Sequence, residues 1–225
     1  MPNTENRKHP TAKTATRRGR TDGDATRALI LEAAGQLFAE RGYQETTSKA
    51  ICAKAGTNIA AVNYHFGSRD ELYLAVMNEV MQHLLNLDYL ARIAGSGDTP
   101  EQKLGQMIDG LVQGLIDERS WHPRVWAREI LTPSPLIDRI LETETLPRVE
   151  IAMPILAEIT GLSITDVKLR YSLLGLMSPC LMLMVINPDL PTPLKPIFQR
   201  PAQEVAAHIK AFVMAGLHAL AAEAR

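Results

Sequence analysis

The fold of this chain is decided by residues 46–66, which read TTSKAICAKAGTNIAAVNYHF. Thr46 and Thr47 offer an N-cap for a short helix that ends at Gly56. Asn58 is a suitable N-cap for a second short helix over residues 59–66. Two short helices joined by a glycine-containing turn are typical of a helix-turn-helix, whose second helix fits the major groove of DNA.

The second helix is predicted to have two different faces. Ile59, Val62 and Phe66 recur at helical spacing and indicate a buried side. The opposite side combines small residues with hydrogen-bonding groups, namely Asn58, Ala60, Ala61, Asn63, Tyr64 and His65. Such a face suits close approach to a phosphate-lined groove. The alternative is a solvated polar face with Tyr64 and His65 packed on the domain surface, and periodicity alone does not decide between the two.

The residues before this motif predict one longer helix and a basic arm. Apolar residues from Ile30 to Phe38 follow helical spacing from Thr26 onwards, and Gly42 is a suitable residue to end that helix. Residues 1–20 carry six basic side chains against one acid, which favours attraction to a polyanion. We expect residues 1–25 to form a disordered basic arm, although a solvated tail without a partner has the same composition.

The stretches TRALILEAAGQLFAERGY (residues 26–43) and VNYHFGSRDEL (residues 62–72) strongly resemble the DNA-binding domain of the TetR/AcrR family of bacterial transcriptional regulators. The version NIAAVNYHFG at residues 58–67 resembles the CerR-like subset of that family. More loosely, WAREI at 126–130 and PSP at 133–135 resemble the C-terminal domain of the same subset. The resemblance implies an all-α protein: a DNA-binding domain over 26–72 and a larger ligand-binding and dimerisation domain over 73–225.

The resemblance also implies a role for each matching residue. Thr47 is expected to contact a phosphate, and Tyr64 and His65 the DNA backbone. The residues expected to face the bases are Thr57, Asn58, Ala61 and Asn63. Arg69 stands where the family usually has a phosphate-binding Lys, and Asn63 stands where a Tyr is common, so the base preference of distant members does not carry over.

Residues 73–225 are predicted to be almost entirely helical. The expected helices cover residues 68–92, 100–118, 123–131, 135–160, 163–187 and 201–223. The last two are apolar on more than one face, so several sides of each must be covered. A second copy of the chain would cover them in a two-fold four-helix interface, and a monomeric bundle core is the alternative. Candidate interface residues are Leu173, Leu181, Ile209, Phe212, Val213 and Leu217.

An effector pocket is expected within the helices of residues 100–187. Methionine and aromatic side chains there offer an adaptable lining, although ordinary core packing explains each of them individually. The candidates are Met107, Leu111, Trp121, Trp126, Arg128, Met153, Met177 and Met182. Arg128 and Glu129 could either orient a polar ligand or lock two helices together.

Composition and motifs weigh against other classes of protein. The chain has 46% hydrophobic and 22% charged residues, and two distant cysteines that support neither a disulfide framework nor a zinc site. No nucleotide-binding, zinc-hydrolase or serine-hydrolase motif is present, so we expect no enzyme, cofactor or metal. We therefore predict a cytoplasmic homodimeric repressor, without membrane contact, that binds a palindromic double-stranded operator and is released by a small apolar effector. The alternative is a helical adaptor or activator whose basic arm binds an acidic partner without a small-molecule effector.

Overall fold

The computed structural model describes residues 15–116 and 120–223, and every regular element in these ranges is helical. The N-terminal helices are α1 (Ala15–Glu45), α2 (Ser48–Ala55), α3 (Ile59–Phe66) and α4 (Arg69–Leu85). There follow α5 (Leu87–Ala94), α6 (Pro100–Ile116), α7 (His122–Leu131), α8 (Ile137–Ile140), a π-helical turn (Leu141–Thr145), α9 (Leu146–Thr160), α10 (Val167–Val185), a 3₁₀ turn (Lys195–Gln199) and α11 (Ala202–Glu223). The predicted all-α fold is confirmed.

The first helix begins earlier than predicted. It starts at Ala15, so the prediction that residues 15–25 belong to a disordered arm was wrong, while residues 1–14 of that arm lie outside the described residues. Apolar periodicity marks only the packed part of a helix. Once that part has formed, adding further turns avoids the cost of nucleation, so the helix extends through residues that have no apolar stripe. At its other end the backbone leaves the helical conformation at Gly42, where φ is 78°.

Two predicted helix boundaries are also corrected. The helix expected over 68–92 is interrupted at Asn86, whose Oδ1 accepts a hydrogen bond of 2.9 Å from the Tyr89 amide and so caps α5. The helix expected from residue 163 begins at Val167, because the Asp166 side chain caps its first turn through the Lys168 amide at 2.8 Å. In both cases a short polar side chain binds the backbone and favours a new helix start.

A single hydrophobic core runs through the molecule from α1 to α11. The boundary predicted between residues 72 and 73 lies inside α4, and both Leu72 and Tyr73 are buried. The Tyr73 ring meets Phe38 of α1 edge-on, with 4.6 Å between the ring centroids. Further along, Leu84 of the same helix lines a cavity in the C-terminal part. Helix α4 therefore belongs to both halves of the protein.

Candidate nucleic-acid interface and ligand cavity

The two helices of the helix-turn-helix begin at the predicted N-cap residues. Thr47 Oγ1 accepts a hydrogen bond from the Ala50 amide at 3.2 Å, and Asn58 Oδ1 accepts one from the Ala61 amide at 3.0 Å. Between the helices Gly56 adopts φ 65° and ψ 32°, a left-handed conformation that favours glycine. The turn geometry is thus set by short-range chemistry that the sequence displays.

Helix α3 is held by one face and exposes the other. Val62 is fully buried and Phe66 almost so, and the Arg27 guanidinium of α1 lies 4.9 Å above the Phe66 ring. On the opposite face Asn63 is exposed, and Tyr64 keeps 82% of its surface accessible. Tyr64 therefore does not pack on the domain surface, as the alternative interpretation required.

The other residues predicted to contact DNA differ in accessibility. Thr47 and Asn58 are exposed, whereas Thr57 is half-buried and Ala61 is half-buried against the core. His65 is also half-buried: its ring meets Tyr64 edge-on with 5.0 Å between centroids. All eight predicted positions lie in or beside α2, α3 and the start of α4, and their contacts with DNA remain predictions.

Arg69 has a structural role that residue spacing did not predict. Its Nη1 donates to the backbone oxygens of Tyr43 at 3.3 Å and Thr46 at 3.1 Å. The guanidinium also lies 4.2 Å above the Tyr43 ring. Arg69 therefore fixes the connection between α1 and α2 from the start of α4, and its substitution would disturb that connection as well as any phosphate contact.

Thr46 was overlooked as a positioning residue. Its side chain is completely buried, and its Oγ1 lies 2.8 Å from the Gly42 oxygen and 3.2 Å from the Leu37 oxygen. The hydroxyl donates to carbonyl oxygens in the last part of α1 and so ties the start of the chain that leads into α2 to that helix. The sequence signal was a threonine four residues after the glycine that ends the helix.

A cavity of about 110 Å³ lies inside the C-terminal part, between α4, α5, α6, α7, α9 and α10. Four of the predicted effector-pocket residues line it: Met107, Leu111, Trp126 and Met177. Met153 packs against the core elsewhere, and Met182 is exposed. Leu173, predicted for the dimer interface, also lines the cavity. The structure thus brings half of the predicted pocket together.

Trp121 and Arg128, also predicted for the pocket, lie on the side of α7 that faces α1. Trp121 Nε1 donates to Glu32 at 2.9 Å, and Arg128 donates to the backbone oxygens of Ala39 at 2.7 Å and Glu40 at 2.8 Å. Arg128 could have oriented a polar ligand or locked two helices together, and in the structure it locks α7 to α1. Because Trp126 of the same helix lines the cavity, α7 connects the cavity to the DNA-binding part.

A buried acid links α7 to α4. Glu129 is 1% exposed and accepts hydrogen bonds from Tyr73 Oη at 2.6 Å and from Ser134 Oγ at 2.8 Å. Burial, followed by the hydrogen bond to Glu129, raises the pKa of Tyr73 far above its usual range, so the phenol stays a donor. The sequence pointed to Glu129 only as a neighbour of Arg128.

We expect Tyr73→Phe to lower the free energy of unfolding by about 1.5–3 kcal/mol, because a buried carboxylate loses a hydrogen bond. Thermal unfolding followed by circular dichroism measures the effect. Tyr43→Phe is the matched control: its hydroxyl donates to the exposed carboxylate of Asp70 at 2.7 Å, so its loss is expected to cost less than 1 kcal/mol. Equal costs for the two variants would contradict the assignment.

Helices α10 and α11 keep apolar faces that no other described residue covers. On α10 these are Tyr171, Leu174, Met182 and Val185. On α11 Phe212 is 72% exposed and is flanked by the exposed small residues Ala211 and Ala215. By length and composition alone both helices could also cross a membrane, and only 28% of each apolar window is buried.

The predicted dimer-interface residues divide between two environments. Ile209, Val213 and Leu217 are buried within the protomer, and their part in an interface stays a prediction. They point at the chain's own core because α11 packs along α6 and α9. Leu181 is half-buried, and Phe212 lies on the exposed face. Periodicity showed that both faces of α11 are apolar but not which one the protomer itself covers.

Comparison with known proteins agrees with this architecture. A family model described as bacterial regulatory proteins of the tetR family matches residues 30–76. The C-terminal domain of the HTH-type transcriptional dual regulator CecR matches residues 100–220, and this is the subset called CerR-like above. In a solved TetR-like regulator from Rhodococcus sp. RHA1, 18% identical, the match covers 85% of this chain and 95% of that one, with a TM-score of 0.62.

Curated relatives match over shorter segments. The chain is 45% identical over 53 residues to CecR of Shigella flexneri, covering 24% of this chain and 23% of that protein. It is 35% identical over 97 residues to the regulator TtgR of Pseudomonas putida, covering 43% of this chain and 44% of that protein. The chain therefore matches less than half the length of these two relatives.

Together the two family models extend from the first helices to α11, and the second alone covers more than half of the chain. Regulators of this family bind DNA and act as dimers. The chain belongs to the TetR/AcrR family of DNA-binding transcriptional regulators, with a C-terminal domain of the CecR type.

Proposed function

We propose that this chain is a homodimeric repressor that binds a palindromic operator and is released by a small, largely apolar molecule bound in the cavity. The supporting observation is the exposed face of α3, where Asn63 and Tyr64 stand free of the core on a helix anchored by Val62 and Phe66. Polar groups exposed on a short, rigidly held helix are what readout in the major groove requires.

In this proposal the DNA contacts divide into two kinds. Thr57, Asn58, Ala61 and Asn63 face the bases. Thr47, Tyr64, His65 and Arg69 contact the phosphate backbone, where the positive ends of the helix dipoles add to the attraction. Asn63 can pair bidentately with adenine, whereas Ala61 can only pack on a thymine methyl group. Two copies of α3, about 34–36 Å apart, would read two half-sites.

We expect Asn63→Ala and Tyr64→Phe to affect DNA binding differently. Asn63→Ala removes a base contact, so it is expected to change the preferred base and to cost about 1–3 kcal/mol on the preferred operator only. Tyr64→Phe removes a phosphate contact, so it is expected to weaken preferred and altered sequences alike. Both side chains are exposed, so neither change should alter stability.

The measurement is a selection of bound genomic fragments followed by titration of the shared palindrome at fixed salt concentration. Wild-type and variant proteins are compared on the same set of fragments. If both variants lost affinity equally on every sequence, α3 would not be the reading helix, and this part of the proposal would be abandoned.

In this proposal, helix α7 transmits the effect of the bound molecule from the cavity to the DNA-binding part. This helix holds Trp126 in the cavity wall, while its Trp121 and Arg128 bind α1. A molecule in the cavity shifts the position of the DNA-binding part only if it binds one arrangement of α7 more tightly than the other. The readout is the change in operator affinity on adding the molecule.

The competing hypothesis is a helical adaptor or activator that binds an acidic partner non-specifically. Equal affinity for the selected palindrome and for random DNA would favour it, whereas saturation at two chains per short palindrome supports the repressor. The relatives described above are transcriptional regulators. Among residues 15–116 and 120–223, no three His, Cys, Asp or Glu side chains lie together as metal ligands. Action in the cytoplasm is part of the proposal.

A further inference from the structure

The cavity is apolar apart from one small region of its wall. Leucine, methionine, isoleucine, valine and alanine side chains form most of the lining together with Trp126. Cys180 also lines it, and burial raises the pKa of that thiol to about 11, so it contributes an uncharged group. The remaining lining residues are Thr145 and Arg148.

These two residues carry polar atoms without a partner. Within the described part of the chain, neither Thr145 Oγ1 nor Arg148 Nη2 has a hydrogen bond, although both atoms are buried. The Arg148 side chain as a whole is only 5% exposed. Buried polar groups in folded proteins are nearly always hydrogen-bonded, and a donor on a charged group is especially costly to leave unbonded.

The rest of the Arg148 guanidinium is firmly held. Its Nε donates to the Leu85 backbone oxygen at 2.8 Å, and its Nη1 donates to the Glu144 backbone oxygen and, at 3.2 Å, to Glu144 Oε2. The planar group is therefore fixed by two of its three nitrogens. Only the third is left to bind something in the cavity.

A π-helical turn, Leu141–Thr145, brings these groups together. Such turns are rare and often occur at functional sites. Thr145 and Arg148 are three residues apart on the same helical run, so they share one face of it. Both residues line the otherwise apolar cavity, and each carries one polar atom without a hydrogen bond.

The charges around Arg148 favour a neutral ligand. Glu144 already pairs with the guanidinium, and Asn78 Nδ2 donates to Glu144 Oε1 at 3.0 Å. A ligand carboxylate would add a second negative charge to this pair within an apolar wall, which is unfavourable. A neutral carbonyl oxygen would accept a charge-assisted hydrogen bond without that cost.

We infer that the cavity binds a small, uncharged, apolar molecule with one carbonyl-type oxygen, held by Arg148 Nη2 and Thr145 Oγ1. The volume of about 110 Å³ is somewhat smaller than the roughly 150 Å³ of a dry cavity that binds benzene, so a body of about one ring fits once the wall adjusts slightly. Met81, Met107, Met177 and Met184 in the wall can adjust to a somewhat larger body. Only the role of this molecule in releasing DNA rests on the proposed function.

The test uses three probes of the same shape: acetophenone with a neutral carbonyl, cumene without oxygen, and benzoate with a negative charge. Binding to the full-length protein without DNA is measured by titration calorimetry and by tryptophan fluorescence, to which Trp126 in the cavity wall contributes. We expect acetophenone to bind about tenfold or more tightly than either of the others, as one hydrogen bond to a charged group predicts.

Two variants separate recognition from folding. Arg148→Lys is expected to abolish the preference for acetophenone over cumene, but it also removes contacts that hold α9. Thr145→Val keeps the side-chain shape and is expected to lower the preference about threefold to tenfold, whereas Thr145→Ser, which keeps the hydroxyl, is expected to retain it.

Each other outcome overturns the inference. Equal affinity for cumene and acetophenone would mean that the polar atoms recognise nothing, and tightest binding of benzoate would assign the site to anions. If none of the three probes bound, small one-ring molecules with a carbonyl oxygen would be excluded as ligands of the cavity. Operator affinity is measured separately: if acetophenone binds as expected but leaves DNA affinity unchanged, the binding site stands and the proposed release mechanism fails.

Discussion

Phe212→Glu is expected to convert the protein into a monomer and to lower its affinity for a palindromic operator by about 100-fold or more, because the second half-site no longer benefits from tethering. Phe212 is 72% exposed in the protomer and lies on the apolar face of α11, beside small residues that allow a second helix to come close. A carboxylate at the centre of such an interface would be buried without a partner.

Analytical ultracentrifugation measures the oligomeric state, and titration with the selected operator measures the affinity. Leu190→Glu is the matched control, because Leu190 is also an exposed apolar residue, at 51%, but lies in the loop after α10 rather than on α11. That variant is expected to remain dimeric with unchanged affinity. A dimeric Phe212→Glu protein that binds the operator normally would show that this face is not the interface.

Gly35→Ala is expected to lower the free energy of unfolding by about 1–2 kcal/mol and the midpoint of thermal unfolding by about 2–8 °C. A Cβ at Gly35 would lie 2.5 Å from ring carbons of Trp121. That ring is 4% exposed, donates to Glu32, and stacks on His122 with 3.8 Å between ring centroids, so it cannot move aside freely. The usual gain from replacing glycine within a helix is about 1 kcal/mol, too small to offset the overlap.

Gly105→Ala is the control for this prediction. Gly105 also lies inside a helix, but a Cβ there would meet only the Cδ atom of Lys210, at an ordinary contact distance of 3.5 Å. This variant is expected to gain up to about 1 kcal/mol in stability. Similar gains for both variants would mean that α1 and α7 are not in tight contact at Gly35.

The predictable part of the fold is the part set by neighbours in sequence. The caps at Thr47 and Asn58 and the buried positions Val62 and Phe66 all follow from spacing within about one turn of helix, and the structure confirms them. Ile59, the first residue of α3, was predicted on the same buried side but is 51% exposed, so that part of the prediction was wrong. The break at Asn86 was missed because its apolar surroundings continue the helical pattern without interruption. Its physical cause is a side chain that caps the next helix.

Contacts between distant residues were the unpredictable part of the candidate site. Arg69 binds backbone oxygens of residues 43 and 46, and Arg128 binds those of residues 39 and 40. The spacing of apolar residues along a helix does not indicate which distant residues an arginine will contact. The polar atoms of Thr145 and Arg148 in the cavity were missed for the same reason, since only folding places a threonine and an arginine against methionine and leucine side chains.

Helix α4 carries Leu72 and Tyr73 in the part that contains the helix-turn-helix and Leu84 in the cavity wall, within one uninterrupted rod. No exposed hinge separates the two parts at residue 72, so proteases are not expected to release a DNA-binding fragment there. Heating should accordingly melt both parts in one calorimetric transition, and a gene truncated after residue 72 should yield an unfolded polypeptide.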